Sequence, residues 1–406
     1  MARANVTVLI DDQSFVIPGG EDGSLTRAGL ASQYGLVYAV GNTGERNKGY
    51  MTIEGLGDWM QRLTSIDPIG GTLASDHPNH VGNTSGGTGS RWPYGPTGDW
   101  KNEWWAAHNY LQYGGVLVVG ATGGEENMTD GYTTLKNKEI PLDVVFAATG
   151  GDQTSVTAIA ELRQDCVAVV PDSTVGTDAD TATFNGTQSE FTICVFGQKK
   201  HLNVNRNTNE NITDGLSSFV YTNCAADVAG CIARTDNVKD PWFSPAGFKR
   251  GRIFDVVSLK DNPTDAQMDS LYDGKINPIV TFPGEGTVLF GDKTGAAPTS
   301  TLSRINVSRL FLYLKKTIGA AARSLLFELN DARTRASFVN AVSGVMENVR
   351  ARRGVYDYRI VCDETNNTPD LIDSNQFIAD VFIKPAKSIN FIKITFTNKN
   401  TRDSLN

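Results

Sequence analysis

The stretch Gly286-Thr287-Val288-Leu289-Phe290-Gly291-Asp292-Lys293-Thr294 is one insertion away from a phosphate-binding P-loop. Such a loop needs backbone amides free to cradle phosphate between two glycines, and a Lys directly after the second. Here Val288, Leu289 and Phe290 favour burial in a sheet and Asp292 would repel the anion, so nucleotide binding is not expected. The overlapping Gly284-x-Gly286 carries Leu289 where a dinucleotide fingerprint needs its third glycine. His77 and His80, beside Asp76, have the spacing of part of a metal site. They sit in a Gly/Ser/Thr loop without a third ligand, and read as exposed loop histidines. No Gly-x-Ser-x-Gly elbow supplies a hydrolase nucleophile. The acidic pairs Asp178/Asp180 and Glu125/Glu126 read as solvated, and His108 as a packing histidine. Trp92, Tyr94, Trp100, Trp104 and Trp105 could stack sugars or bases, but Arg91 and Lys101 are the few cations nearby, and aromatic helix positions are usually core. No catalytic, cofactor-binding or metal-binding residue is expected. The chain reads as a non-enzyme, with a soluble α/β enzyme as the lower-ranked alternative.

The apolar patterning says which elements hold these residues. Asp99 is placed to cap a helix carrying Trp100, Trp104, His108 and Leu111, ended by Gly114-Gly115 and followed by the strand Val116-Leu117-Val118-Val119. A second unit runs from a strand over 142–148 through a Gly150-Gly151 turn and a helix through 158–162 to a strand over 166–170, with a third strand over 191–196. Strand, helix, strand in this order implies a parallel sheet with helices on its faces. Further along, 216–231 reads as a helix and 264–272 as a short one, and strands over 279–282 and 287–290 flank Pro283-Gly284-Glu285-Gly286. Two long helices, 305–329 and 335–352, then strands over 355–362, 379–383 and 389–397, make an α+β end. Near the start Val6, Val8 and Ile10 alternate as in a strand, and 67–98 reads as a long surface loop.

Bulk properties agree with a folded, multi-domain α/β plus α+β chain. With 406 residues, 40% hydrophobic and 20% charged, disorder is excluded and two or three domains are expected. No apolar run approaches the roughly 20 residues that span a bilayer, so no membrane insertion is expected. The first residues lack the apolar segment of a secretory signal, so folding in a cytoplasm is expected. Five cysteines, odd in number and never spaced Cys-x-x-Cys, read as buried reduced thiols. Charge is unevenly placed. Residues 301–361 hold eleven basic and four acidic side chains, a net +7 in a chain of net −8, which leaves −15 elsewhere. In the helix from Ile305, Val307, Leu310, Phe311, Leu314, Ile318, Ala321, Leu325 and Leu329 are expected on one buried face. Arg309, Lys316 and Arg323, seven residues apart, form a stripe expected on the opposite side, with no acidic residue between Ser308 and Leu326 to offset it. Stacking aromatics do not interleave with these cations, so nucleic acid is not the expected partner.

The run Ile276-Asn277-Pro278, then Val288 to Thr294, then Arg304-Ile305-Asn306-Val307 with Arg309-Leu310-Phe311 and Leu314-Lys315-Lys316, resembles the contractile tail sheath proteins of bacteriophages. Phe327-Glu328-Leu329-Asn330-Asp331, Gly354-Val355-Tyr356-Asp357, the Cys362 to Pro369 stretch and the Ile383 to Asn390 stretch are similar to the same family's C-terminal domain. The resemblance covers about residues 240–397; upstream, Glu103-Trp104-Trp105 through Tyr113-Gly114-Gly115 is similar to the family's helix-then-strand. It implies a multi-domain sheath subunit: an N-terminal arm (1–22), the N-terminal part of a body (23–114), a subtilisin-like α/β middle without an active site (115–300), a C-terminal α+β domain facing a tube (301–390) and a C-terminal arm (391–406). By the same resemblance, copies stack as hexameric rings in a helical sheath around an inner tail tube protein, with baseplate and neck or terminator proteins as further partners. Contraction drives the tube through a cell envelope. The implied place is a virion tail, assembled in the host cytoplasm; a phage-tail-like bacteriocin or injection system is the alternative. Arg309, Lys316 and Arg323 are then expected to contact the tube. Val6, Val8 and Ile10, with Ile392, Ile394 and Phe396, are expected to add strands to neighbouring subunits.

Overall fold

A computed structural model describes residues 27–32, 50–59, 101–121, 131–202, 219–388 and 390. Outside these residues lie the expected arm strands with Val6, Val8, Ile10, Ile392, Ile394 and Phe396, and the 67–98 loop with His77, His80, Trp92 and Tyr94. Trp100, Glu125 and Glu126 lie outside them as well.

In chain order, β1 (Arg27–Ser32) and β2 (Tyr50–Ile53) precede α1 (Lys101–Leu111), β3 (Val116–Ala121) and the short α2 (Gly131–Leu135). The chain then alternates β4 (Val144–Phe146), α3 (Gln153–Arg163), β5 (Val167–Pro171) and β6 (Thr192–Phe196). Next come β7 (Gln198–Leu202), β8 (Phe219–Asn223), α4 (Ala225–Val238), β9 (Ser258–Leu259) and α5 (Asp265–Asp273), which lead to the hairpin of β10 (Ile276–Phe282) and β11 (Gly286–Leu289). The rest is α6 (Ile305–Arg323), α7 (Ala332–Ala351), β12 (Val355–Val361), α8 (Pro369–Asp373) and β13 (Asp380–Pro385).

Eight strands form one sheet in the order β11-β10-β6-β5-β4-β1-β3-β2. The neighbours from β10 to β3 are parallel, and antiparallel β11 and β2 close the two edges. Parallel strands covered on both faces read as unbroken apolar runs, and every residue of β4, β5 and β6 is buried. α1 packs with α4, and α2 with α3. Tyr110 of α1 meets Phe146 on one side of the sheet, while Leu135 of α2 lies over Gly29 and Gly120 on the other. A side chain at Gly29 would stand 3.2 Å from Leu135 and Leu142, so the missing Cβ is what lets α2 close on β1.

β1 and β2 lie before residue 115, so the sheet draws strands from both sides of the boundary expected there. β1, Arg27-Ala28-Gly29-Leu30-Ala31-Ser32, is mostly small residues and lacks the bulky apolar run that marks β4, β5 and β6. The helix expected over 216–231 is instead β8 followed by α4. Phe219-Val220-Tyr221-Thr222 alternates between half-buried or exposed and buried, and pairs with β7 in a separate sheet ordered β8-β7-β9.

The C-terminal lobe has its own core, in which Trp242 joins Leu310, Leu314 and Ile318 of α6, Phe338, Val342, Met346 and Val349 of α7, and Val355 of β12. α6 also sends Ile305 and Leu312 into the core of the α/β body. At about 100° per residue these two sets fall on opposite sides, so α6 is apolar on both. It is a bolt between two cores and not a surface helix with one buried face. The helix stops at Arg323, earlier than expected, and Leu329 is 78% exposed beyond it.

Candidate assembly interface

The basic stripe on α6 points inward. Arg309, Lys316 and Arg323 fall within roughly 60° of Ile305 and Leu312 around the helix, on the side that meets the α/β body. Arg309 is only 5% exposed, and its guanidinium donates to both carboxylate oxygens of Asp236, from α4, and to Pro241 O. Lys316 donates to Asp143 Oδ1 at 2.6 Å and to Leu142 O at 3.0 Å, at the start of β4. Burial opposes ionisation of Asp143, but Lys316 outweighs it and holds the carboxyl below its usual range. The neighbouring Lys315 is buried and donates to Gln164 O at 2.7 Å; burial pushes its ammonium down to about 7. Of the stripe, Arg323 alone is an exposed side chain. The expectation of an outward-facing row of three cations is therefore corrected: the offsetting carboxylates come from α4 and the approach to β4, far away in sequence.

The exposed apolar surface lies elsewhere on the same lobe. β12 and β13 pair antiparallel as a two-stranded ribbon, with a register shift between Val355 and Asp357. Tyr358, Ile360, Val381 and Ile383 pack against the lobe core. The other face presents Tyr356, 72% exposed, Arg359, and Phe382, 59% exposed. Neither outer edge of the ribbon has a strand partner among the described residues. The motif before β13 fixes its entry. Asn366 donates to Val361 O and Asp380, and the buried Asn367 exchanges hydrogen bonds with the backbone of Ile378. At the far end of the lobe, between α6 and α7, Phe327 is 90% exposed in a left-handed conformation with φ of 72°. Asp331 then caps α7 by accepting from Thr334 N at 2.7 Å.

Among the described residues none of the polar clusters is arranged as a catalytic centre. The P-loop-like stretch is β11 and its exit: Val288 and Leu289 are fully buried, and Lys293 spends its ammonium on Tyr272 O and the face of the Tyr272 ring. Lys199, Asp227 and Tyr113 form a hydrogen-bonded cluster sealed inside the body, with Lys199 Nζ 2.8 Å from Asp227 Oδ1. His108 stacks on Trp104 and abuts Trp105 as a packing residue, and burial lowers its imidazole to about 4. All five cysteines are free and buried, with burial raising the thiols, Cys166 to about 12 and Cys362 to about 11. Among the described residues no group of three His, Cys, Asp or Glu could hold a metal, and no helix is long and apolar enough to cross a membrane. A groove of about 990 Å³ runs between body and lobe, walled by Trp242, Arg250, Tyr272, Phe290, Tyr356 and Ser388.

Solved structures that share this fold include contractile sheaths. The chain aligns with the contracted sheath complex of an extracellular contractile injection system, PVC, at a TM-score of 0.70 and 16% identity, over 98% of this chain and 99% of that one. The contracted helical sheath of the anti-feeding prophage gives 0.64 and 15%, over 98% and 100%. The chain is 43% identical over 261 residues to the tail sheath protein of Vibrio phage KVP40, covering 61% of this chain and 39% of the relative. It is 40% identical over 256 residues to that of Enterobacteria phage T4, covering 60% and 38%. The matched region thus spans about two fifths of these curated relatives. Residues 124–295 match the phage tail sheath protein central domain and residues 297–399 the phage tail sheath C-terminal domain. The two matches meet between β11 and α6, where the body gives way to the lobe, and the chain belongs to the phage tail sheath protein family, a family of structural proteins and not of enzymes.

Proposed function

We propose that the chain is a subunit of a contractile tail sheath, polymerising as stacked hexameric rings around an inner tail tube and contracting to drive that tube through a target cell envelope. The observation that carries this reading is the β12–β13 ribbon, a two-stranded sheet with both edges open among the described residues. An edge of unpaired backbone groups is a template for another strand. The strand-patterned rows Val6, Val8, Ile10 and Ile392, Ile394, Phe396 are the strands we assign to the edges of neighbouring copies. The parallel sheet supports a subtilisin-like origin for the body, kept as scaffold without its chemistry. Baseplate and neck or terminator proteins are the partners at the two ends of the polymer.

Arg309 and Lys316 hold the lobe to the body in this reading, and contact with the tube falls to Arg323. Identity of 43% to a vibriophage sheath protein favours a virion tail, assembled in the host cytoplasm, over a tail-like injection system. The test is electron microscopy of the purified chain. Hollow striated tubes are expected, and a protein that stays monomeric at every salt concentration, with or without tube protein, refutes the proposal.

A further inference from the structure

After β13 the chain crosses from the lobe back to the body and is fastened there. Ala386 N donates to Gly354 O at 3.0 Å, and Asn306 Nδ2, at the start of α6, donates to Ala386 O at 3.2 Å. The fastening itself is on Asp292, in the connection from β11 to α6. Its carboxylate is almost fully buried, and one oxygen lies 3.1 Å from Arg304 Nη1. Ser388 Oγ donates to Oδ2 at 2.5 Å, and Asn390 Nδ2 donates to Oδ1 at 2.6 Å. Asn390 also donates to the Tyr272 hydroxyl at 2.8 Å, the same hydroxyl that accepts from Arg304. Both carboxylate oxygens are thus engaged by the departing chain, and Arg304 and Tyr272 tie the cluster to α5 and to the residue preceding α6.

We propose that Asp292, Tyr272 and Arg304 form a latch that holds Ser388 and Asn390 on the body, and that tension applied beyond residue 390 is delivered to this latch before it reaches the β12–β13 ribbon. The inference rests on the sheath reading only in its second half, where the chain beyond 390 bears load. The mechanical reasoning follows from order along the chain. Without the latch, a pull would act directly at Pro385 and unzip β13 from β12 one register pair at a time, starting at Pro385↔Val355. With it, the pull meets charge-assisted hydrogen bonds to a buried carboxylate first, and several must break together. The load then enters the body at the connection between β11, the edge strand of its sheet, and α6, which joins the two cores.

The bond Lys387–Ser388 lies inside the latch, and the preceding Lys384 is followed by Pro385, which protects that bond from trypsin. Limited trypsin digestion of the full-length, unassembled chain, read by mass spectrometry at Lys387–Ser388, therefore reports latch opening. Asp292→Ala and the double variant Ser388→Ala/Asn390→Ala are each expected to speed this cleavage at least about 10-fold, the effect of losing charge-assisted hydrogen bonds. The double variant removes only partly buried and exposed groups, so it stays informative if Asp292→Ala fails to fold. An unchanged rate in the folded variants overturns the latch. Tubes built from the double variant are expected to dissolve at lower urea than wild-type tubes, and equal resistance overturns the load path. If the wild type forms no tubes at all, the sheath reading fails while the protease result still decides the latch.

Discussion

His108 illustrates how a residue that invites a catalytic reading is instead part of the packing. It packs against the indoles of both Trp104 and Trp105, where burial lowers its imidazole from 6.5 to about 4. Between those values the unfolded chain binds a proton that the native state does not. Stability from this group is therefore complete above pH 6.5 and declines as pH falls towards 4, by up to about 3 kcal/mol. A His108→Phe variant is expected to lose that part of the acid slope, measured by urea unfolding at a series of pH values; an unaltered slope contradicts the assignment. The strand character of the P-loop-like stretch that ends in Asp292 was equally legible, because Val288 and Leu289 favour a sheet and both are buried in β11. What residue types alone could not reveal was the role of Asp292 itself. Its partners Ser388 and Asn390 lie almost a hundred positions away, and nothing local marks them.

At the scale of elements, α6 decides how body and lobe are joined. Its seven-residue basic repeat was visible in the sequence, and so was its apolar content. The direction of the repeat was not, because a helix apolar on two sides offers no unique outer face. The lack of acidic residues on α6 looked like an uncompensated surface and was in fact compensation from other elements, Asp236 and Asp143. This geometry predicts a graded series. Arg309→Ala, which removes a buried guanidinium and two hydrogen bonds to Asp236, is expected to cost about 3 kcal/mol. Lys316→Ala, whose pair is partly exposed, is expected to cost about 1 kcal/mol, and Arg323→Ala less than about 0.5 kcal/mol. Shifts of the urea midpoint in the purified subunit check the order. Three equal, negligible values would restore the outward-facing stripe. Other elements were hidden for comparable reasons. β1 is made of small residues whose value lies in letting α2 approach, and β7 carries Lys199, which reads as surface until Asp227 is found beneath it.

At the scale of the molecule, the described parts of the two cores lie wholly upstream of residue 390. The described members of both clusters end at Ile383, and Ser388 and Asn390 are the last described residues fastened to the body. Removing residues 391–406 is therefore expected to leave a folded subunit with an unchanged melting temperature. The same deletion has a large expected effect on assembly. If the row Ile392, Ile394, Phe396 adds a strand to a neighbour's ribbon, six backbone hydrogen bonds at about 0.5–1.5 kcal/mol each are lost per subunit. A link of about 5 kcal/mol corresponds to more than about a thousandfold in the concentration needed for tubes to form. Sedimentation of the truncated chain across a concentration series measures this directly. Tubes at the wild-type concentration would show that the ribbon edges are filled by something other than this segment. The expected outcome, a stable subunit that no longer polymerises, would separate what folds this chain from what links it to its neighbours: the former ends at the Asp292 latch, and the latter begins there.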